Sequence, residues 1–298
     1  MPLIHYTACP SCHSDQLQPA VSAVDQTVSH ETFSIWQCGN CGLRFTQDVP
    51  DAGSSGRYYQ SDNYISHSNT SKGLVNRLYH MVRRQTLSDK YRLIASATRT
   101  RQGKMLDIGA GTGAFVGYMQ ERGWEVTGLE PDETARRVAL TDHNVALLEM
   151  DQLFAMPPDS FDAITLWHVL EHVHDLHPYM ERLKTLVRRT GRIFIAVPNY
   201  TCYDASVYQA FWAAYDVPRH LYHFSPDAME SLLTQHGLQL QYSQPMWYDS
   251  IYISMLSEKY RGGGHGNNVK AVFTGLVSNV KAFIDKSKCS SLIYVISK

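Results

Sequence analysis

The sequence predicts an α/β protein with a Rossmann-like, mostly parallel sheet, a small cysteine-rich ribbon ahead of it and a helical insertion before the last strand. Three observations carry this expectation. A short apolar run, Lys104 to Ile108, ends in Gly109-Ala110-Gly111-Thr112-Gly113, and helical periodicity follows over Ala114 to Arg122, giving the strand, glycine turn and helix that open a βαβ unit. Further strand and helix patterns alternate behind it. Ahead of it stand two Cys-x-x-Cys pairs, Cys9 with Cys12 and Cys38 with Cys41.

Taken in order, the N-terminal pairs come first. The Cys-x-x-Cys spacing turns the backbone tightly and points both thiolates at one ion, and two such knuckles can close a tetrahedral shell. Pro10, Gly39 and Gly42 supply the turn chemistry, with one strand expected over Thr32 to Gln37 and another over Leu43 to Gln47. Residues 1–56 therefore read as a zinc ribbon whose structural metal is held by Cys9, Cys12, Cys38 and Cys41, with no coordination position left for catalysis. Cys202 and Cys289 read as ordinary thiols of a reducing compartment. No leader pattern or long apolar run is present, so the expected location is cytoplasmic.

Residues 57–103 bring an aromatic segment with Tyr58, Tyr59, Tyr64 and His67, expected to act as a lid, and then a basic connecting helix. Residues 104–298 form the α/β domain. Its second strand, Trp124 to Leu129, ends at Glu130, 23 residues after Asp107, where an acid can accept hydrogen bonds from a ribose. A third strand is expected over Asn144 to Met150 and a fourth over Phe161 to Trp167. Ser225 caps a helix that Pro226 opens and Gly237 ends, and Leu238 to Gln244 is the sixth strand. Residues 246–288 are the helical cap insertion, with helices over Trp247 to Tyr260 and Val269 to Asp285.

Charge is placed unevenly on a chain of 298 residues whose net charge is only -1. Residues 1–56 carry one arginine and five acids, a net of -4, while 72–104 sum to +8, 105–258 to -11 and 259–298 to +6. The whole chain therefore has no field to draw in nucleic acid, and any contact with a membrane surface would be weak and local, through the basic helix.

LDIGAGTG (106–113), VTGLEPD (126–132), FDAITLWHVLEHV (161–173), GRIFIAVPN (191–199) and DVPRHLYHFS (216–225) together resemble a class I S-adenosylmethionine-dependent methyltransferase, in the branch that includes ubiquinone-type O-methyltransferases. The resemblance implies a seven-stranded sheet whose last strand, Ser291 to Ile296, is antiparallel. It implies S-adenosylmethionine as cofactor. Asp107, Gly109, Ala110 and Gly111 would line its methionine and ribose, Glu130 with Pro131 its ribose, Asp151 with Leu153 its adenine, and His168 would lie under the reactive end.

Methyl transfer from a sulfonium needs positioning, desolvation and, for many acceptors, loss of a proton. His168, His172 and His174 follow the fourth strand, and His220 and His223 follow the fifth, at the carboxyl ends where open α/β sheets bind ligands. His172 is the expected general base, with an ordinary pKa near about 6.5, and His220 joins it. Arg219 is expected either to hold an anionic acceptor by its planar fork or to shape the loop through a salt bridge to Asp216 or Glu171. HVLEH also admits a metal site: relatives in this branch can carry Glu-x-x-Glu-His, where this chain has His168-x-x-Glu171-His172, and imidazole disfavours magnesium.

Some ribosomal RNA methyltransferases and some deoxysugar C-methyltransferases also combine an N-terminal zinc unit with such a core. A ribbon that grips RNA should present Lys and Arg to phosphates, and this one is acidic, so nucleic acid is the disfavoured partner. The expected partner is a small-molecule acceptor of sugar, quinone-like or lipid type; a non-catalytic cofactor-binding scaffold is the remaining alternative.

Overall fold

A computed structural model describes residues 2–59, 74–262 and 267–298, and the side chains of its first helix from residue 84 onward. Tyr64 and His67 of the expected lid lie outside the described residues. The N-terminal part consists of β1 (Leu3–Ile4), β2 (Leu17–Val24), β3 (Thr32–Cys38), β4 (Arg44–Thr46) and β5 (Val49–Pro50). β2, β3 and β4 pair antiparallel, and β1 pairs with β5. β2 was not expected from the sequence, because its Pro19 and exposed polar positions blur the period-2 pattern.

The helix α1 (Leu74–Thr98) leads into the α/β body. There β6 (Lys104–Ile108), α2 (Ala114–Gln120), β7 (Glu125–Leu129), α3 (Glu133–His143), β8 (Phe161–Trp167), α4 (Leu176–Leu186) and β9 (Val187–Pro198) follow in turn. α5 (Tyr203–Tyr208), β10 (Tyr222–His223), α6 (Pro226–Gln235), β11 (Gln239–Pro245), α7 (Asp249–Tyr260), α8 (Asn267–Ile284) and β12 (Ser291–Ser297) complete the chain. The strand order of the main sheet is β11-β12-β9-β8-β6-β7, with β12 antiparallel to both its neighbours. β6 to β9 run parallel.

Among the described residues the main sheet has six strands and not the expected seven. The segment foreseen as a third strand makes only a single parallel bridge, Leu129 to Leu148, and its Leu148 is 44% exposed. An edge segment with one bridge and a half-wet face gains too little burial to form a full ladder. The last strand fares differently. Every residue of β12 is buried, between β9 and β11.

Ser225 caps α6 as expected, its hydroxyl accepting from the Ala228 N–H at 3.1 Å with Pro226 in the first turn. β10 joins the two parts of the molecule by pairing with β4, Tyr222 opposite Phe45 and His223 opposite Arg44. The Thr46 N–H donates to Leu221 O and the Thr46 hydroxyl to His220 O. The N-terminal sheet thus fixes the backbone on which His220 sits.

Candidate functional site

The four N-terminal sulfurs converge. Cys9 Sγ lies 3.6 Å from Cys41 Sγ and Cys12 Sγ 3.5 Å from Cys38 Sγ, all four within 4.8 Å of one another. A tetrahedral zinc with Zn–S near about 2.3 Å holds its sulfurs about 3.8 Å apart, so the shell is preformed at the right size. The Asn40 N–H donates to Cys38 Sγ and the Asn40 amide to Cys12 Sγ, the amide-to-sulfur contacts that steady a thiolate.

At the carboxyl edge of the main sheet, the glycine turn after β6 is held by Gly109 and Ala110 N–H groups on Leu129 O, both 2.9 Å. Its three glycines do different work. A Cβ on Gly109 would stand 2.5 Å from Val169 Cγ2, and one on Gly113 2.7 Å from Ala139 Cβ, so these two admit close packing. A Cβ on Gly111 would meet nothing within 4 Å. Gly111 therefore faces open space, although its φ of +54° puts it in the left-handed region.

Glu130 stands at the end of β7 beside that space. Its Oε2 accepts from the Gly111 N–H at 2.7 Å and its Oε1 from the Asp132 N–H at 3.0 Å. Burial raises its pKa, with those two N–H groups opposing. Asp107, in β6, is 1% exposed and accepts from the Thr165 hydroxyl at 2.6 Å; burial pushes its pKa up to about 6. Ala110 is half-buried beside the turn, and Pro131 is exposed, its carbonyl accepting from Arg136. Asp151 is exposed on the turn Met150–Ala155. Leu153 corrects its expected role: its side chain is fully buried in the main core, so it packs rather than touches adenine.

The histidines divide equally sharply. His168 has φ +58° at the end of β8, and its imidazole bridges two carboxylates, Asp249 at 3.1 Å and Glu171 at 3.3 Å. Burial alone would lower its pKa, but Asp249 and then Glu171 raise it to about 10, so His168 is a cation. Lys90 of α1 stands nearby, 4.1 Å above the Trp167 ring; burial lowers its pKa to about 8 against the pull of Asp107 and Asp249.

His172 Nδ1 is 3.0 Å from Arg219 O and 3.2 Å from the Tyr59 hydroxyl. A carbonyl only accepts, so Nδ1 carries the proton and Nε2 keeps its lone pair. Burial, then His220, push the pKa of His172 down to about 4, away from the ordinary value expected of it. His220 makes the same arrangement with Ala214 O at 2.9 Å. Glu171, His172 and His220 each bring a ligand atom within 4.8 Å of the others, and Glu171 Oε2, completely buried, has no hydrogen-bond partner among the described residues.

Arg219 corrects the expectation of an acceptor anchor. It is 3% exposed, and its guanidinium donates to both oxygens of Asp216, to Asp25 Oδ1 and to Tyr58 O. The loop-shaping salt bridge was foreseen for Asp216. The partner from the ribbon, Asp25, was not. Tyr58 is 2% exposed in the cluster around Phe33, and so is core rather than lid. His174 bonds Pro50 O and His223 the Thr46 hydroxyl, which makes both structural. Lys90 and Asp249 were missed as site residues, since they come from segments whose own sequence carries no motif, while Tyr59 was expected only as part of a lid and meets His172 instead.

The sheet, the glycine turn and the acid after the second strand define an α/β nucleotide-cofactor enzyme. A family profile described as a methyltransferase domain matches residues 79–243, more than half the chain, and the chain belongs to that family. It is an S-adenosylmethionine-dependent methyltransferase. Among its relatives, a ubiquinone biosynthesis O-methyltransferase from Chromobacterium violaceum is 27% identical over 161 residues, covering 50% of this chain and 69% of that one. Another, from Aeromonas salmonicida, is 36% identical over 104 residues, 32% of this chain and 43% of that one. The chain thus spans between about two fifths and two thirds of these relatives' lengths. A solved structure from Galdieria sulphuraria that carries a sarcosine dimethylglycine methyltransferase assignment shares the fold, with a TM-score of 0.50, 14% identity and coverage of 75% of this chain and 88% of that one.

Proposed function

We propose that the chain methylates a small-molecule acceptor, with the acceptor's proton taken at His172 Nε2. The open space over Gly111 beside the Glu130 carboxylate carries the cofactor part of this reading, because among the three glycines of the turn it is the one whose Cα side is left open to a ligand by the described residues. Bound there, S-adenosylmethionine supplies a methyl group already activated on a sulfonium. Glu130 would hold the ribose, Asp107, Gly109 and Ala110 would form the floor, and Pro131 and Asp151 would flank it. Lys90 and His168 contribute positive charge at the same edge.

His172 is neutral through the physiological range, so its lone pair is available without a prior titration. His220 and the Arg219 carbonyl orient it, and Arg219 itself positions rather than binds. His172→Ala should lower turnover about a hundredfold or more while cofactor affinity stays intact. The wild-type rate should be flat near neutrality and fall only as the pH drops toward about 4. A rate that rises through an ordinary histidine pKa, or a His172→Ala enzyme of undiminished turnover, defeats the assignment.

A divalent cation is the second reading, favoured by the orphaned Glu171 Oε2 facing two imidazoles. His168 is not among its ligands, being already tied to Asp249; His220 takes that place. Two imidazoles and one carboxylate suit zinc or iron better than magnesium. The cysteine shell, for its part, holds structural zinc. Elemental analysis separates the cases: one zinc per chain, lost in Cys38→Ser, is expected, and a second metal that survives Cys38→Ser and disappears in Glu171→Gln would move His172 from base to ligand.

The acidic ribbon and the buried Asp25–Arg219 junction favour a small acceptor over RNA, since neither offers cations to phosphates. A screen of sugar, quinone-like and lipid acceptors with labelled cofactor identifies the class.

A further inference from the structure

The helical insertion is built inside out. α8 buries Ala271, Thr274, Gly275, Ser278 and Ala282, all small or hydroxylated, and turns large apolar side chains to solvent. Val269, Phe273, Leu276, Val280, Phe283 and Ile284 recur at steps of three and four residues, which is one stripe along the helix, opposite the buried face. Val269 is 78% exposed, and Phe283 and Ile284 are each 83%. α7 follows the same rule in part: Ser250, Ser254 and Ser257 lie inside together with Ile253 and Glu258, while Tyr252 and Met255 face out. The two helices close tightly at Gly275, where a Cβ would lie 2.7 Å from Ile251 Cα. Small residues between helices and large apolar ones outside suit surroundings that are themselves apolar, whereas a helix facing water places them the other way round.

The charges say which apolar surroundings. Residues 259–298 hold seven cations and a single acid, Asp285. Lys281 is exposed beside the stripe, its ammonium 5.0 Å from the Tyr203 ring, and Lys286 and Lys288 follow directly from the stripe's end. Lys270 is matched by the buried Glu258 at 3.2 Å, and Asp285 is taken up by the N–H and hydroxyl of Ser287. A two-fold contact with a second copy across this face would set these lysines against their own images. An anionic surface complements them.

We propose that the α7–α8 hairpin docks the protein on an anionic phospholipid bilayer, the α8 stripe entering the acyl boundary and Lys281, Lys286 and Lys288 resting at phosphate level. Among the described residues no helix is long and apolar enough to cross a membrane, so α8 lies in the plane of the interface. α7 starts at Asp249, the carboxylate that holds His168, so the docked element adjoins the site.

The test is sedimentation of the full chain with vesicles of phosphatidylcholine alone and with roughly a third phosphatidylglycerol. The wild type should pellet with the anionic vesicles, and Phe273→Glu with Phe283→Glu should lower that partition by about tenfold or more. Lys281→Gln, Lys286→Gln and Lys288→Gln together should abolish the preference for phosphatidylglycerol. S-adenosylmethionine affinity should stay unchanged in both variants, and melting temperature should stay unchanged in the glutamate variant and within a few degrees in the lysine variant, which loses the contact of the Lys281 ammonium with the Tyr203 ring. Wild type that stays in the supernatant with both vesicles, or glutamate variants that partition like wild type, overturns the proposal. So does a dimer by light scattering that the glutamate variant splits, with no vesicle binding, since that gives the face to a second copy.

Discussion

On the glycine side of the site, Asp107, the turn and Glu130 lie within 24 consecutive residues, and Glu130 locks the turn by accepting from Gly111 and Asp132. On the histidine side, His172 is oriented by Arg219 O and by Tyr59, His168 by Asp249, and Lys90 arrives from α1. One half is assembled locally by backbone geometry. The other exists only once the ribbon, α1 and the helical insertion have docked. The glycine half should therefore tolerate single changes with local losses of binding, while the histidine half should fail through the contacts that bring its parts together.

Arg219 is the sharpest way to break that contrast. Its guanidinium neutralises Asp25 of the ribbon, the two side chains being 1% and 0% exposed, and Asp216 of the body, which keeps a partly wet edge at 22%. Arg219→Met leaves the buried Asp25 carboxylate and the half-buried Asp216 carboxylate without their shared cation, and the expected loss is about 3 to 5 kcal/mol in urea unfolding. A loss below about 1 kcal/mol, the range of exposed pairs, would show that the junction is not the support of the histidine half. The wild type carries the same dependence on pH. Burial alone would raise the Asp25 pKa, but the hydrogen bond from Arg219 and the N–H groups of Ser29 and Thr27 hold it well below the usual carboxylate range. Its stabilisation is present above the unfolded carboxylate value near about 4 and is lost as the pH falls below it.

This division also explains what could be read in the sequence. Cys9, Cys12, Cys38 and Cys41, the glycine turn and the Ser225 cap were legible because each is a short pattern whose geometry is fixed by its own spacing. The resemblance added the cofactor and the antiparallel last strand. The distant partners of Arg219 and His168 were not legible, since Asp25 lies 194 residues from Arg219 and Asp249 81 residues from His168, and no local rule links them as one linked Arg219 to Asp216. Leu153 and the missing strand at Asn144 to Met150 failed for another reason: an apolar residue near a motif reads the same whether it faces a ligand or the core.

Glu130→Gln sharpens the comparison from the glycine side. The amide oxygen can still accept from Gly111 or Asp132, so the fold should change little. The charge that would face the ribose is gone, and affinity for S-adenosylmethionine by calorimetry should fall about tenfold, roughly 1.4 kcal/mol. Unchanged affinity in a folded variant would remove Glu130 from the cofactor site.

The smallest effect expected is also the most specific. Gly111→Ala and Gly113→Ala both put a Cβ on a left-handed residue, at φ +54° and +74°, a strain of about 1 to 2 kcal/mol each. At Gly113 the new methyl also collides with Ala139 Cβ at 2.7 Å, so that variant should lose more stability than strain alone predicts. At Gly111 the methyl enters open space and stability should fall by the strain only. If that space is where the cofactor meets the backbone, the order reverses for binding. Gly111→Ala should weaken S-adenosylmethionine more than Gly113→Ala does, although it is the more stable protein. Calorimetry and thermal unfolding on the same two samples read both orders, and parallel orders would place the cofactor away from Gly111.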